Sequence, residues 1–185
     1  MANWQTTRNV DNLTAQFNAR WPARDKTSDG SIGDAAHQAE SASGHNPDDT
    51  PGSHPSWDGD PDNTPEVRAK DVDSDLREPG TTMQMVVDHL IGLPGLSSVC
   101  RYLIYNRKMY HSRDGFSPTA YTGASAHTEH LHYEGAWTQA ADNNSTYDFR
   151  LEEVGTMAEV DLTPAAVTAV ANAVVSKVLG SSGPN

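Results

Sequence analysis

Three short strings concentrate side chains that could do chemistry. They are Ser43-Gly44-His45-Asn46-Pro47-Asp48, Arg68-Ala69-Lys70-Asp71-Val72-Asp73 and His127-Thr128-Glu129-His130-Leu131-His132. If the third string lies on a strand, His130 and His132 project to the same face and can converge on one object. Two imidazoles and one carboxylate are a usual protein ligand set for catalytic zinc, with the fourth position left for water. The alternative is that these histidines are polar loop residues without a common ligand.

A metal ion in this chain would have to be held by histidines and carboxylates. Cys100 is the only cysteine, so neither an intramolecular disulfide nor a thiolate zinc knuckle can form. Asp73 would share a strand face with Asp71, which makes it either an alternative ligand or an acceptor for the ring N–H of a liganding histidine.

Hydrophobic spacing predicts the elements that must position these strings. Apolar residues recur every three or four positions over 9–21, after the candidate cap Asn9, and over 82–92, before a glycine, so both stretches predict helices. Residues typical of strands predict three further segments, over 67–73, 98–111 (with a turn at Asn106-Arg107) and 126–134. The sequence therefore predicts an α+β fold, in which a small antiparallel sheet carrying Asp71 and His132 is flanked by helices.

Two other regions differ from this core. Residues 46–66 contain five prolines and two glycines, which predicts a long surface loop inserted in the domain. Within it, 58–63 place carboxylates at alternate positions, which predicts either a Ca²⁺ site or an acidic solvated loop. Thr163-Pro164 precedes an apolar stripe that ends at Gly180, which predicts a C-terminal helix. We expect one domain over 1–155 and a helix and tail over 156–185, the helix either docked on the domain or self-associating.

The charge balance limits the classes of partner. The 185 residues include 25 acidic and 13 basic side chains, a formal net charge of −12, which opposes binding to nucleic acid or to an anionic membrane. No stretch approaches the roughly 20 apolar residues of a membrane span, so no membrane insertion is expected. The opening run MANWQTTRNV lacks a basic region followed by an apolar one, so we expect a protein made in the cytoplasm without a signal peptide.

The three strings resemble the signature of the LAS metallopeptidases, the group of lysostaphin, the D-Ala-D-Ala carboxypeptidases and MepA, and especially of VanY-like peptidases encoded by actinobacterial phages. The segments that carry the resemblance are Ser43-Gly44-His45, Ala69-Lys70-Asp71 and His130-Leu131-His132. The resemblance covers roughly residues 9–134. It implies that His45, Asp71 and His132 bind Zn²⁺. It further implies that the catalytic base is either His130 or Glu129, the residue three before the last ligand. Strand alternation favours His130, because it places Glu129 on the opposite face.

The chain departs from the compact family pattern in one respect. Asp71 follows His45 by 26 residues, a much longer separation than the family shows. The predicted loop accounts for the difference. Because the entropy of loop closure grows only logarithmically with length, the insertion is tolerable if the two ligands pin its ends.

The resemblance implies a fold and a function. It predicts a LAS-like zinc metallopeptidase of the phage endolysin type, made in the host bacterium, which hydrolyses amide bonds of peptidoglycan, as an endopeptidase or a carboxypeptidase. It also suggests substrate contacts from Gln38, His37 and Arg68, the last by pairing with a carboxylate. We expect a monomer. The alternatives are a zinc-bearing module without turnover, in the cell wall or the virion, and a metal nuclease, which the acidic charge disfavours.

Overall fold

The computed structural model describes residues 4–33, 43–48 and 64–155. The chain divides into two compact units, Met1–Val154 and Gly155–Asn185, and the described residues belong almost entirely to the first. Four predictions fall outside the described residues, wholly or for the most part: the substrate contacts of Gln38 and His37, the surface loop over 46–66, the Ca²⁺ site within 58–63, and the C-terminal helix.

The described residues form an α+β arrangement. In chain order the strands and α-helices are β1 (Gln5–Thr6), α1 (Arg8–Arg20), β2 (Glu66–Val67), β3 (Ala69–Asp73), α2 (Met83–Ile91), β4 (Cys100–Tyr105), β5 (Lys108–His111), β6 (Pro118–Ala120), β7 (His130–Gly135) and α3 (Gln139–Asp142). Five strands form an antiparallel sheet in the order β3-β7-β4-β5-β6, and β1 pairs with β2 in a separate parallel ribbon. The predicted class and the antiparallel sheet are confirmed.

Both predicted core helices are present, but the first begins earlier than predicted. Thr7 is the N-cap of α1, where its side chain accepts the backbone N–H of Val10. Asn9, the predicted cap, is instead buried inside the helix and donates from Nδ2 to the carbonyl of Val99 at 2.6 Å. A partner 90 positions along the chain decides this role, so local capping rules cannot find it. Helix α2 has the predicted boundaries, with Thr82 as its N-cap.

The predicted turn between β4 and β5 is confirmed. Asn106 and Arg107 have φ of 46° and 60°, and positive φ at both central positions matches the twist of a two-residue hairpin. The other two strand predictions were too long. A break at Arg68 separates β2 from β3, and β7 begins only at His130.

The two faces of the main sheet have different chemistry. One face packs against α1 and α2 in a single hydrophobic core, to which the sheet contributes Val72, Leu103, Tyr110, Leu131 and Tyr133. The residues that alternate with these project to the other face, which carries Asp71 and His132. The core therefore supports the sheet from one side and leaves the other for polar chemistry. None of the described helices is long and apolar enough to cross a membrane.

Candidate metal centre

Three predicted ligands meet on the polar face of the sheet. Asp71 on β3 lies directly opposite His132 on β7 in the antiparallel register. His132 Nδ1 lies 3.1 Å from Asp71 Oδ1 and 3.1 Å from His45 Nε2, and His45 Nε2 lies 3.3 Å from Asp71 Oδ1. Tetrahedral zinc with bonds of about 2.0–2.1 Å separates its ligand atoms by roughly 3.3 Å. The three side chains thus form a group that could hold a metal ion.

His45 reaches this group from a segment without regular secondary structure. The carbonyl of the preceding residue, Gly44, accepts the backbone N–H groups of Arg68 and Ala69, both at 3.1 Å. The carbonyl of His45 itself accepts the N–H of Gly33 at 2.9 Å. These bonds tie the segment to the start of β3, so His45 and Asp71 are held by neighbouring backbone despite their separation in the sequence.

Arg68 has an internal role instead of the predicted contact with substrate. Its side chain is 3% exposed, and its guanidinium donates to both oxygens of Asp142 at 2.9 Å and forms an ion pair with Asp48. Both acids are buried as well. A cation so enclosed by carboxylates of its own chain joins the segment of His45 to β3 and α3, and it is not presented to a ligand.

The tautomers implied by the hydrogen bonds suit a metal ion. His45 Nδ1 lies 2.7 Å from the carbonyl oxygen of Ser31, and a carbonyl only accepts, so Nδ1 carries the proton and Nε2 a lone pair. His132 Nε2 faces the carboxylate of Glu134 at 3.5 Å, so the other ring nitrogen, Nδ1, faces Asp71 and His45. When both rings are neutral, the lone pairs of His45 Nε2 and His132 Nδ1 point toward the Asp71 oxygen. A cation bound between these three atoms would relieve their mutual repulsion.

The carboxylates beside His132 favour a positive charge at this point of the site. Burial on its own would lower the pKa of His132, but the neighbouring carboxylates of Asp71 and Glu134 raise it to about 9. Burial would likewise raise the pKa of Asp71, but His132 and His45 hold it far below its usual range. A metal ion must therefore displace the His132 proton, as is usual when a histidine becomes a ligand.

Two further histidines border the group. His130 Nε2 lies 3.7 Å from Asp71 Oδ1, and its side chain is 20% exposed. Burial lowers the pKa of His130, against the opposing effect of the Asp71 charge. The ring of His127 lies 5.0 Å from that of His130 and 5.5 Å from that of His132. Burial, with the neighbouring His132 and His130, lowers the pKa of His127 to about 4, so this ring is neutral at pH 7.

The other predicted site residues are placed as follows. Glu129 is exposed and precedes β7, and its carbonyl accepts hydrogen bonds from Ser28 and Ser74. Asp73, the alternative ligand, accepts the backbone N–H groups of Ser28 and Asp75 and so closes a turn outside the metal group. The structure thus brings His130 to the cluster and gives Asp73 a local structural role.

Two residues of this face were missed by the sequence analysis. Glu134, which is fully buried, faces His132, and the ring of Tyr102 stacks on that of His132 with centroids 5.6 Å apart. The first had a signal: positions 130, 132 and 134 share one face of a strand. The second depends on β4 lying beside β7, which no local pattern shows.

Comparison with known proteins gives no relative. No family model, curated protein or solved structure matches this chain. A function must therefore be inferred from the residues of the site.

Proposed function

We propose that this protein is a zinc-dependent peptidase of the LAS type that hydrolyses amide bonds in bacterial peptidoglycan, as a phage endolysin does. The observation that carries the proposal is the convergence of His45, Asp71 and His132 within 3.1–3.3 Å of one another, with His130 beside them. The peptidoglycan substrate comes from the sequence resemblance.

The donor set agrees with zinc. Two imidazole nitrogens and one carboxylate oxygen are the ligands of many catalytic zinc sites, and three protein ligands leave a coordination position for a reactant. A bound zinc ion would make a water molecule more acidic and polarise the carbonyl of the scissile amide. The acidic net charge of −12 disfavours the alternative of a nuclease, because phosphate backbones would be repelled.

His130 is the proposed general base. A base must be neutral at the working pH to take a proton, and burial lowers the pKa of this ring. Its Nε2 lies close to the metal group, and its partial exposure allows a substrate to approach. His130 would take a proton from the attacking water and deliver it to the leaving amine. Glu129 remains the second candidate, but its exposed side chain lacks the burial that tunes His130.

The direct test combines zinc binding with analysis of digested cell walls. The wild-type protein should bind one zinc ion and release peptides from purified peptidoglycan, and a chelator should stop the release. His132→Ala should lose both zinc and hydrolysis, whereas His130→Ala should keep zinc and lose hydrolysis. His89→Ala is the matched control, because His89 lies on α2 and contacts the carbonyl of Phe149, so both properties should be retained.

Each alternative gives a different result. Zinc binding without release of peptides would support a binding module in place of an enzyme. Full activity of His130→Ala, with loss of activity in Glu129→Ala, would identify Glu129 as the general base. A wild-type protein that binds no zinc would refute the proposal. Mass analysis of the released peptides would identify the bond that is cleaved.

A further inference from the structure

A buried carboxylate lies behind the third predicted ligand. Glu134 is completely inaccessible to solvent, and Trp137 Nε1 donates to its Oε1 at 2.6 Å. The other oxygen, Oε2, lies 3.5 Å from His132 Nε2, the ring nitrogen that faces away from the metal group. Among the described residues, Oε2 has no partner within hydrogen-bond geometry. A buried carboxylate oxygen without a donor is costly, and the donors beside Glu134 are the imidazole N–H of His132 and the hydroxyl of Tyr102.

We propose that Glu134 is a positioning residue, which holds His132 with its Nε2–H toward the carboxylate and its Nδ1 lone pair toward Asp71 and His45. This inference rests on the metal site of the proposed function and adds a residue to it. A carboxylate behind a liganding imidazole fixes both the tautomer and the orientation of the ring.

Two neighbours hold the carboxylate in this position. An indole N–H can only donate, so Trp137 fixes one oxygen and turns the other toward His132. The guanidinium of Arg101 lies over the Trp137 ring, 3.1 Å from its centroid, which restrains the indole in turn.

Gly44 provides the space for this arrangement. A Cβ atom on Gly44 would lie 2.2 Å from Glu134 Oε2, far inside van der Waals contact. The residue before the ligand His45 therefore has to be small for Glu134 to occupy its place. This gives a physical reason for the glycine in the string Ser43-Gly44-His45, for which the sequence alone indicated no role.

Glu134→Gln tests the inference because it keeps the size and shape of the side chain and replaces one carboxylate oxygen with an NH₂ group. Trp137 and His132 both present donors to Glu134, but a glutamine has one oxygen and one NH₂, so the NH₂ must face one of them. If it faces His132, the ring must carry its proton on Nδ1 and cannot bind metal through that atom. We expect zinc affinity, measured by competition with a chromophoric chelator, to fall about 10–100-fold. In the zinc-free protein, ¹⁵N NMR of His132 above pH 9, where the ring is neutral, should show a shift of the proton toward Nδ1.

A second variant separates positioning from general damage. In Glu134→Gln/Trp137→Phe the indole donor is gone, so the amide oxygen can turn to His132, and zinc affinity should exceed that of Glu134→Gln alone. Glu152→Gln, at an exposed acid, should bind zinc as the wild type does. Circular dichroism would verify that all variants are folded.

The inference would be overturned if Glu134→Gln bound zinc with wild-type affinity, or if affinity fell with an unchanged His132 tautomer and no recovery in the double variant. These measurements need no substrate. A wild-type protein that binds zinc but releases no peptides would therefore refute the proposed function and leave the role of Glu134 intact.

Discussion

Arg68→Met should destabilise the folded protein without a specific effect on substrate binding. Methionine retains most of the aliphatic part of the side chain and removes the guanidinium. The carboxylates of Asp48 and Asp142, with side chains 1% and 5% exposed, then lose the cation that pairs with them in the wild type. A buried charge that loses its partner is a severe defect, because the interior solvates it poorly.

The expected magnitude follows from the burial of all three groups. Breaking a buried ion pair from one side costs about 3–5 kcal/mol. For a folded unit of this size, 1 kcal/mol lowers the melting temperature by roughly 2–4 °C, so we expect a decrease of about 6–20 °C. Because the Arg68 side chain also joins Asp48, in the segment of His45, to the start of β3, zinc affinity should fall together with stability.

The assay compares thermal unfolding with the KM for peptidoglycan fragments. Arg113→Met is the matched control. Arg113 also pairs with an aspartate, Asp114, but its side chain is 71% exposed, so its removal should change stability by less than about 0.5 kcal/mol. If Arg68→Met melted like the wild type and raised KM strongly, the internal role of Arg68 would be refuted and contact with substrate restored.

Three further perturbations have defined outcomes. Arg20 and the indole of Trp21 hydrogen-bond Glu78 and lower its pKa from 4.5 to about 2. The ionised carboxylate therefore stabilises the folded state above pH 4.5, and this stability is lost as the pH falls toward 2. Since the side chain is 33% exposed, we expect a contribution of about 1 kcal/mol. The free energy of unfolding of Glu78→Gln, measured with urea, should depend less on pH between 4.5 and 2. Tyr133→Phe removes a buried hydroxyl that donates to the carbonyl of Val99 at 2.8 Å. The free energy of unfolding, measured by denaturant titration, should therefore fall by about 1–2 kcal/mol. A free energy equal to that of the wild type would contradict this hydrogen bond. Finally, zinc at a hundred times its dissociation constant should stabilise the protein by about 2.7 kcal/mol, and calorimetry that shows no shift between metal-loaded and chelator-treated samples would contradict binding to the folded state.

Strand alternation explains which part of the candidate site could be predicted from the residues alone, whereas the grouping of His45, Asp71 and His132 was what the resemblance implied. A two-residue period fixes which side chains share a face, and this period alone is enough to place His130 and His132 side by side. The same period also includes Glu134, so its position on the same face as His132 was available from the sequence. The two main helices were predicted for a similar reason, since their apolar stripes match the helical period.

Long-range pairing explains what could not be predicted. Arg68 looks like an exposed strand end in the sequence, but its partners lie 20 and 74 positions away. Asn9 resembles a helix cap, but it bonds with Val99 across the core. In both cases a buried polar group found its partner through the tertiary fold, and no local pattern contains that information.

The ends of the connection between Asp48 and Glu66 are fastened to each other. The N–H of Asp48 donates to the carbonyl of Glu66 at 3.1 Å, and the N–H of Glu66 donates to Asp48 Oδ1 at 2.8 Å. These two bonds act as a clasp that does not require metal. Closure of this connection therefore does not depend on ligation of His45 and Asp71, although the two ligands lie far apart in the sequence.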